Sequence, residues 1–461
     1  MAAVVCGGLA FAQEPPWSER ALRAHVDQND LRGTLPKMVL EELRRQGETL
    51  FDARFTPADG AGRPRATMAP APTRREKASQ TLFNRATGPD ANACSGCHNQ
   101  PAAGGAGDFA SNIFIVENPE GDLAPMPDPS LANERGTSHI FGAGLIELLA
   151  REMTADLQAA RSRAAAKAER QGRAVTLRLA AKGVDFGEII VAPDGTTDTT
   201  RLDGVDADLV VRPFGQKGVF VSLREFTVTV LNHHLGMQAD ERFGLAHTGE
   251  LDFDGDGVSV EMTEGDVSAL VAWQAGLAPP TTIAPDDARW REAAARGRAV
   301  FGELGCAACH VPSLPLESLR FSDPGPVDAA GTLTAADVME PAVYDLDLAD
   351  WAAALPRDED GRVLVPLFGD LKRHAIAGDG EPLGNERLSQ RGVPTGSFMT
   401  AELWGLASTA PYGHRNDHVT IDGIIRAHGG EARDARSGYE RADEADRSAL
   451  IAFLKTLVIE P

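Results

Sequence analysis

Two pentapeptides of one form stand in opposite halves of the chain: Cys94-Ser95-Gly96-Cys97-His98 and Cys306-Ala307-Ala308-Cys309-His310. Two thiols three residues apart, with an imidazole directly after the second, are what covalent attachment of a c-type haem requires. Both sulfurs form thioethers to the porphyrin, and the histidine binds iron. In a helical turn, positions i, i+3 and i+4 share a face, so the three side chains reach one macrocycle. In a chain with only 5 Cys and 11 His, one such pattern arises by chance about once in a thousand sequences. Zinc ribbons pair their half-sites within about 15–20 residues, and a thioredoxin-like dithiol needs a βαβ context. Neither fits, so the pattern predicts two c-type haems held by Cys94, Cys97, His98, Cys306, Cys309 and His310.

An electron-transfer haem wants a sixth ligand, and His428 is the candidate for the second motif. Thr420 can cap a short helix that stops at Gly429-Gly430, on which Ile421, Ile424, Ile425 and His428 share one face. A histidine on such a face is otherwise an ordinary core residue. For the first motif the nearby candidates are His139 and the pair His233-His234, with Met237 behind them. Each can serve as a distal ligand, as an acid–base group or as a structural histidine. Asp252, Asp254, Asp256 and Gly257 match positions one, three, five and six of an EF-hand loop, but position twelve is Thr263, with Glu261 and Glu264 on either side. Calcium binding there competes with a solvated acidic turn.

Helices must position these groups. One is expected from about Pro36, carrying Met38, Leu40, Leu43 and Leu50; another follows Pro285, capped by Asp286 and running through Trp290 and Val300 to Leu304. Both end in an echo, Gly47-Glu48-Thr49-Leu50-Phe51 and Gly297-Arg298-Ala299-Val300-Phe301. A stretch rich in Pro, Ala and Arg (56–75) separates the first helix from its motif, whereas the second abuts its own. A charged helix is expected over 148–170 and short strands at 175–179 and 220–223. Gly183, Gly187, Gly195, Gly204 and Gly215 mark turns. A last helix over 443–457 carries Leu450, Ile451, Phe453, Leu454 and Leu457 on one side, suited to the Trp290 helix. The expected fold is mainly α: two cytochrome c-like haem domains (30–150 and 285–461) with an inserted mixed α/β segment (151–280).

The chain has 461 residues, enough for two or three domains, and a formal net charge of −22. That charge argues against nucleic acid as a partner and suits a small basic redox protein such as a cytochrome c, steered by long-range attraction. The apolar opening 1–12, with an Ala-x-Ala end, is expected to act as a secretory signal cleaved after Ala12, although it lacks a basic start. Val5 before Cys6 rules out a lipobox. No other stretch is apolar enough to span a bilayer, so a periplasmic protein without a membrane span is expected.

Several motifs carry a family likeness: Phe83-Asn84, the Gly-rich stretch after His98, Phe141-Gly-Ala-Gly-Leu-Ile-Glu147, Gly305 to Pro312 and Phe368-Gly-Asp-Leu-Lys-Arg-His374. Leu403-Trp-Gly-Leu406, Ala410-Pro-Tyr-Gly-His414 and His428-Gly-Gly-Glu431 complete the set. From about Leu40 to the C-terminus the chain resembles the bacterial di-haem oxidoreductases, related to di-haem cytochrome c peroxidases and MauG-type enzymes. The likeness is weakest at 150–215. It implies a haem in each of two cytochrome-like domains, with electrons passing between them. In those peroxidases a methionine occupies the axial place that His428 takes here, so a lower potential is expected. His139 lies in the segment resembling the family's pocket wall. His414 and Arg373-His374 are candidates to hold haem propionates, and Glu134 and Glu147 are nearby carboxylates expected to be solvated or capping. The expected function is passage of electrons from a redox partner through the C-terminal haem to a small substrate, hydrogen peroxide first, at the N-terminal haem. A non-enzymatic di-haem carrier and a sulfur-compound or thiol oxidoreductase are the alternatives.

Overall fold

The computed structural model describes residues 15, 17–62, 90–113, 133–327, 333–378, 380–386 and 389–460. The expected signal segment 1–12, most of the 56–75 stretch and Phe83-Asn84 lie outside them. Helix α1 spans Lys37–Asp52 behind Pro36 and buries Leu40, Leu43, Gly47, Leu50 and Phe51. Met38, expected on the same side, is 72% exposed; two residues before Leu40 it lies some 200° around the helix.

Helix α2 covers Ala143–Gln171 and starts earlier than expected, because Gly144 to Ala150 form its fully packed first turns. Against it folds an antiparallel meander of β1 (Val175–Ala181), β2 (Val184–Val191) and β3 (Thr197–Leu202). Of the five glycines expected at turns, Gly183, Gly195, Gly204 and Gly215 lie outside the strands, whereas Gly187 lies within β2, paired with Leu202 next to a register shift; all five have positive φ. The expected strand at 220–223 is not formed. Phe220 makes a single bridge to Phe214, and the Ser222 side chain accepts from Glu225 N–H to cap α3 (Leu223–Val230), so the local cap wins over a short alternating run. From α3, Arg224 reaches Glu241 (2.9 Å) and Asp323 (2.9 Å) in the core, and Tyr344 Oη donates to Asp323 (3.0 Å). With these and other small sheets of two or three strands, the architecture is mixed rather than mainly α.

Helix α4 (Glu264–Gly276) is buried along nearly its whole length and packs on α1, although it lies inside the segment expected to be an insert. Helix α5 (Ala288–Glu303) is capped one residue later than expected: the Asp287 carboxylate accepts from Arg289 and Trp290 N–H. Beyond it come the short α6 (Ile421–Ala427), capped by Thr420 as expected, and α7 (Glu444–Leu454), capped by Asp443. Helix α7 packs on α5, and Trp290 Nε1 donates to Ala452 O at 2.9 Å.

The echo read in the sequence is a repeated helix crossing. A Cβ on Gly47 would stand 2.0 Å from Ala269 O and 2.8 Å from Trp273 Cβ; one on Gly297 would stand 1.9 Å from Ala449 O and 2.8 Å from Phe453 Cβ. Each glycine lets its helix lie backbone to backbone on the partner, with an aromatic residue one turn further on. Phe51 meets Trp273 at 4.3 Å between ring centres, and Phe301 meets Phe453 at 5.7 Å. The same two phenylalanines approach the motif histidines, Phe51 to His98 at 6.1 Å and Phe301 to His310 at 6.5 Å. No helix among the described residues is long and apolar enough to cross a membrane.

Candidate haem centres

Both motifs fold as the same tight turn, Cys94–Gly96 and Cys306–Ala308, with the histidine N–H donating to the first cysteine's carbonyl at 3.0 Å in each. The four cysteines are free thiols. Burial pushes Cys94 up to about 12 and raises Cys97 and Cys306 as well. His98 Nδ1 lies 3.2 Å from Gly105 O; His310 Nδ1 lies 3.3 Å from Phe368 O and 3.1 Å from Ala401 O. A carbonyl can only accept, so each Nδ1 carries the proton and each Nε2 presents a lone pair, the form in which histidine binds a metal. Burial, helped at His310 by the neighbouring His428, holds both imidazoles down at about 4 and therefore neutral.

The C-terminal unit brings a second imidazole close to the first. His428 ends α6, and its Nδ1 donates to Ile424 O at 2.8 Å, which again leaves Nε2 as the lone-pair nitrogen. The rings of His310 and His428 are 6.4 Å apart between centres. Two imidazoles on opposite sides of one metal, with bonds of about 2 Å, place their centres about 6 Å apart. The donor set and spacing therefore fit a haem iron held by both.

The N-terminal unit differs. Among the described residues no imidazole stands at that spacing from His98. His139 Nε2 lies 3.2 Å from Trp404 O, while its Nδ1 is buried with no hydrogen-bond partner. Burial, with His98 contributing, holds His139 down at about 4. Trp404 is buried, and its ring covers the space a Cβ on Gly142 would need. His139 thus ties the His98 side to the loop that ends in the second centre. His233 and His234 sit on a single π turn, Leu231–Leu235, with rings 4.5 Å apart. His234 Nδ1 lies 2.7 Å from Asp90 Oδ2, and Asp90 N–H donates to His234 O at 2.8 Å. Asp90 was not singled out from sequence: 144 residues separate it from its partner. Met237 is fully buried in the apolar core.

Other expected residues are placed as follows. Glu147, read as solvated or capping, is fully buried; it accepts from Leu223 N–H at 2.7 Å, at the start of α3, and pairs with Arg151. Glu134 pairs with Arg415, and Arg373 with Asp206. His414 stacks on Phe398 at 4.4 Å and meets Asn385 at 2.7 Å. His374 lies 3.8 Å from the Cys309 sulfur, between Asp370 (2.8 Å) and Glu431 (2.8 Å). Burial opposes its charge, but those contacts outweigh it and push the imidazole up to about 11.

In the acidic loop, Asp252, Asp254 and Asp256 bring one oxygen each to within 4.8 Å of one another. Asp252 and Asp256 accept from the loop's own N–H groups at Gly255, Gly257 and Val258. At position twelve Thr263 is committed to capping α4. These bonds shape the loop from within, and the three carboxylates remain grouped at a spacing that could hold a cation. Burial, with the charges of Asp254, Asp256 and Asp240, pushes the nearby Glu261 up to about 10, against the N–H of Gln238 at 2.7 Å. A carboxyl raised on folding favours the native state below its ordinary pKa and costs stability as pH climbs toward the folded value. Glu261→Gln is therefore expected to stabilise the protein by about 1–3 kcal/mol near neutral pH, with less gain near pH 5. Thermal melts in a chelating buffer at the two pH values check this, and a lower melting point at neutral pH would refute it.

No family model and no curated protein matches the chain. Among solved structures, Kuenenia stuttgartiensis hydrazine synthase pressurised with xenon is 12% identical over 97% of this chain and 99% of that one, with a TM-score of 0.39. A MauG-like protein associated with microbial copper homeostasis is 16% identical over 68% of this chain and 88% of that one, at 0.27. Superpositions this loose carry no argument, and the functional reading rests on the two motifs and the geometry around them.

Proposed function

We propose that the chain is an exported di-haem c-type oxidoreductase in which two cytochrome-like units are built on the α1–α4 and α5–α7 crossings. The observation that carries this reading is an asymmetry: His310 has a second imidazole, His428, 6.4 Å away between ring centres, and His98 has no imidazole at that spacing among the described residues. When bound, haem supplies one-electron redox chemistry and, where an axial position is exchangeable, a seat for a small oxidant. With Nδ1 of each anchored to backbone carbonyls, His310 and His428 would hold the electron-transfer haem through their Nε2 atoms. His98 supports the substrate centre. The substrate proposed is hydrogen peroxide, which takes two electrons and two protons to give two waters. His139 has a buried ring nitrogen, Nδ1, without a hydrogen-bond partner, so the acid–base role is assigned to it. The net charge of −22 supports a basic redox protein as electron partner.

The thiol-oxidoreductase alternative calls for an accessible thiolate of lowered pKa, whereas burial pushes Cys94 up to about 12. The electron-carrier alternative calls for two six-coordinate irons. Low-temperature EPR of the fully oxidised protein, with a haem count of two, separates it from the enzyme. One low-spin and one high-spin ferric signal are expected, the latter shifting on cyanide addition. Two low-spin ferric signals that are unchanged by cyanide or peroxide, before and after a cycle of reduction and reoxidation, would overturn the catalytic reading.

A further inference from the structure

We propose that Asp90, His233 and His234 form a binding site for one divalent first-row transition-metal ion, separate from both haem centres. Side chains of adjacent residues on an α-helix diverge, but the π turn over Leu231–Leu235 brings these two rings together at 4.5 Å between centres, 75° apart in plane. Two imidazole ligands at right angles about one ion, each with a bond of about 2 Å, place their ring centres about 4.5 Å apart. The third donor is at matching range: Asp90 Oδ2 lies 2.7 Å from His234 Nδ1, near the roughly 2.9 Å between neighbouring ligand atoms of such an ion. One donor atom from each of the three residues lies within 4.8 Å of the others.

The set is also held in place. His233 is buried, the Asp90 and His234 side chains are 10% and 24% exposed, and the Asp90 N–H to His234 O bond fixes the two segments to each other. Two imidazoles and a carboxylate favour Fe2+, Cu2+ or Zn2+ over the oxygen-seeking Ca2+ and Mg2+. Three such donors on one side of an ion are the arrangement called a facial triad. Asp90 lies four residues before Cys94, so an ion here would sit beside the N-terminal haem motif. The assignment does not depend on the haem reading, because the covalent haems would remain in place when the ion is removed.

The test uses the full haem-loaded protein, treated with chelator and desalted, with Cu2+ as probe. One tightly bound copper per chain is expected, with EPR hyperfine structure from two nitrogens that changes on 15N-histidine labelling. Zn2+ should displace it. Asp90→Asn, nearly isosteric, and His234→Gln should each weaken copper binding by ten- to a hundredfold, while the haem count and haem EPR stay as in the parent. No stoichiometric copper in the parent protein, copper without nitrogen coupling, or equal affinity in both variants would each overturn the site. The labelling result stands even if a variant fails to fold.

Discussion

Replacing His428 by alanine is expected to convert the C-terminal haem from low to high spin and to move its midpoint potential upward. His428 lies 6.4 Å from His310 between ring centres, with Nδ1 anchored to Ile424 O at 2.8 Å. Removing the ring deletes the strong-field donor on one side and leaves the anchored His310 on the other. His428→Met should stay low-spin with a more positive potential, because a thioether stabilises the reduced iron better than imidazole does. His418→Ala serves as control, since that ring pairs with Asp417 at 3.8 Å. Optical and EPR spectra of the three variants decide the matter. A low-spin C-terminal signal unchanged in His428→Ala would remove this ligand, and with it the asymmetry on which the proposed function rests.

The second large effect concerns the crossings. Gly297→Ala puts a methyl 1.9 Å from Ala449 O, and Gly47→Ala puts one 2.0 Å from Ala269 O. A backbone carbonyl cannot swing aside as a side chain can, so the helices must separate and loosen the Phe301–Phe453 or Phe51–Trp273 pair. Each substitution is expected to cost about 2–4 kcal/mol, at the upper end of overpacking effects. Gly302→Ala on α5 meets nothing within 4 Å and should gain about 0.5–1 kcal/mol from helix propensity. Denaturant melts of the haem-loaded variants give the comparison. Equal stability of Gly297→Ala and Gly302→Ala would mean that the crossing tolerates a wider spacing.

How much of this was legible in the sequence varied with the range of the interaction. Local signals read true at Pro36 ahead of α1, at Thr420 ahead of α6 and at four of the five turn glycines, whereas the last helix, expected over 443–457, runs only Glu444–Leu454 and leaves Leu457 in a short strand. The cap of α5 was misread by one residue because Asp286 and Asp287 are adjacent, and only geometry shows which carboxylate turns back onto the helix. Helix α4 escaped notice for a different reason. It is buried on nearly all sides, so it has no polar face to create a period. The paired glycines in the echo announced that something would lie against them, but not what. The Asp90–His234 contact had no local signal at all, since neither residue carries a mark of the other.

The crossings also set an order of events during synthesis. Helix α4, which closes over α1, begins roughly 165 residues after His98. Cys94 and Cys97 are therefore made, and accessible, well before the helix that shuts their unit exists. In the folded unit Cys94 is half-buried, and desolvation pushes its thiol up to about 12. A chain delivered from its N-terminus thus offers both thiols for covalent chemistry over the interval set by the separation of its helices.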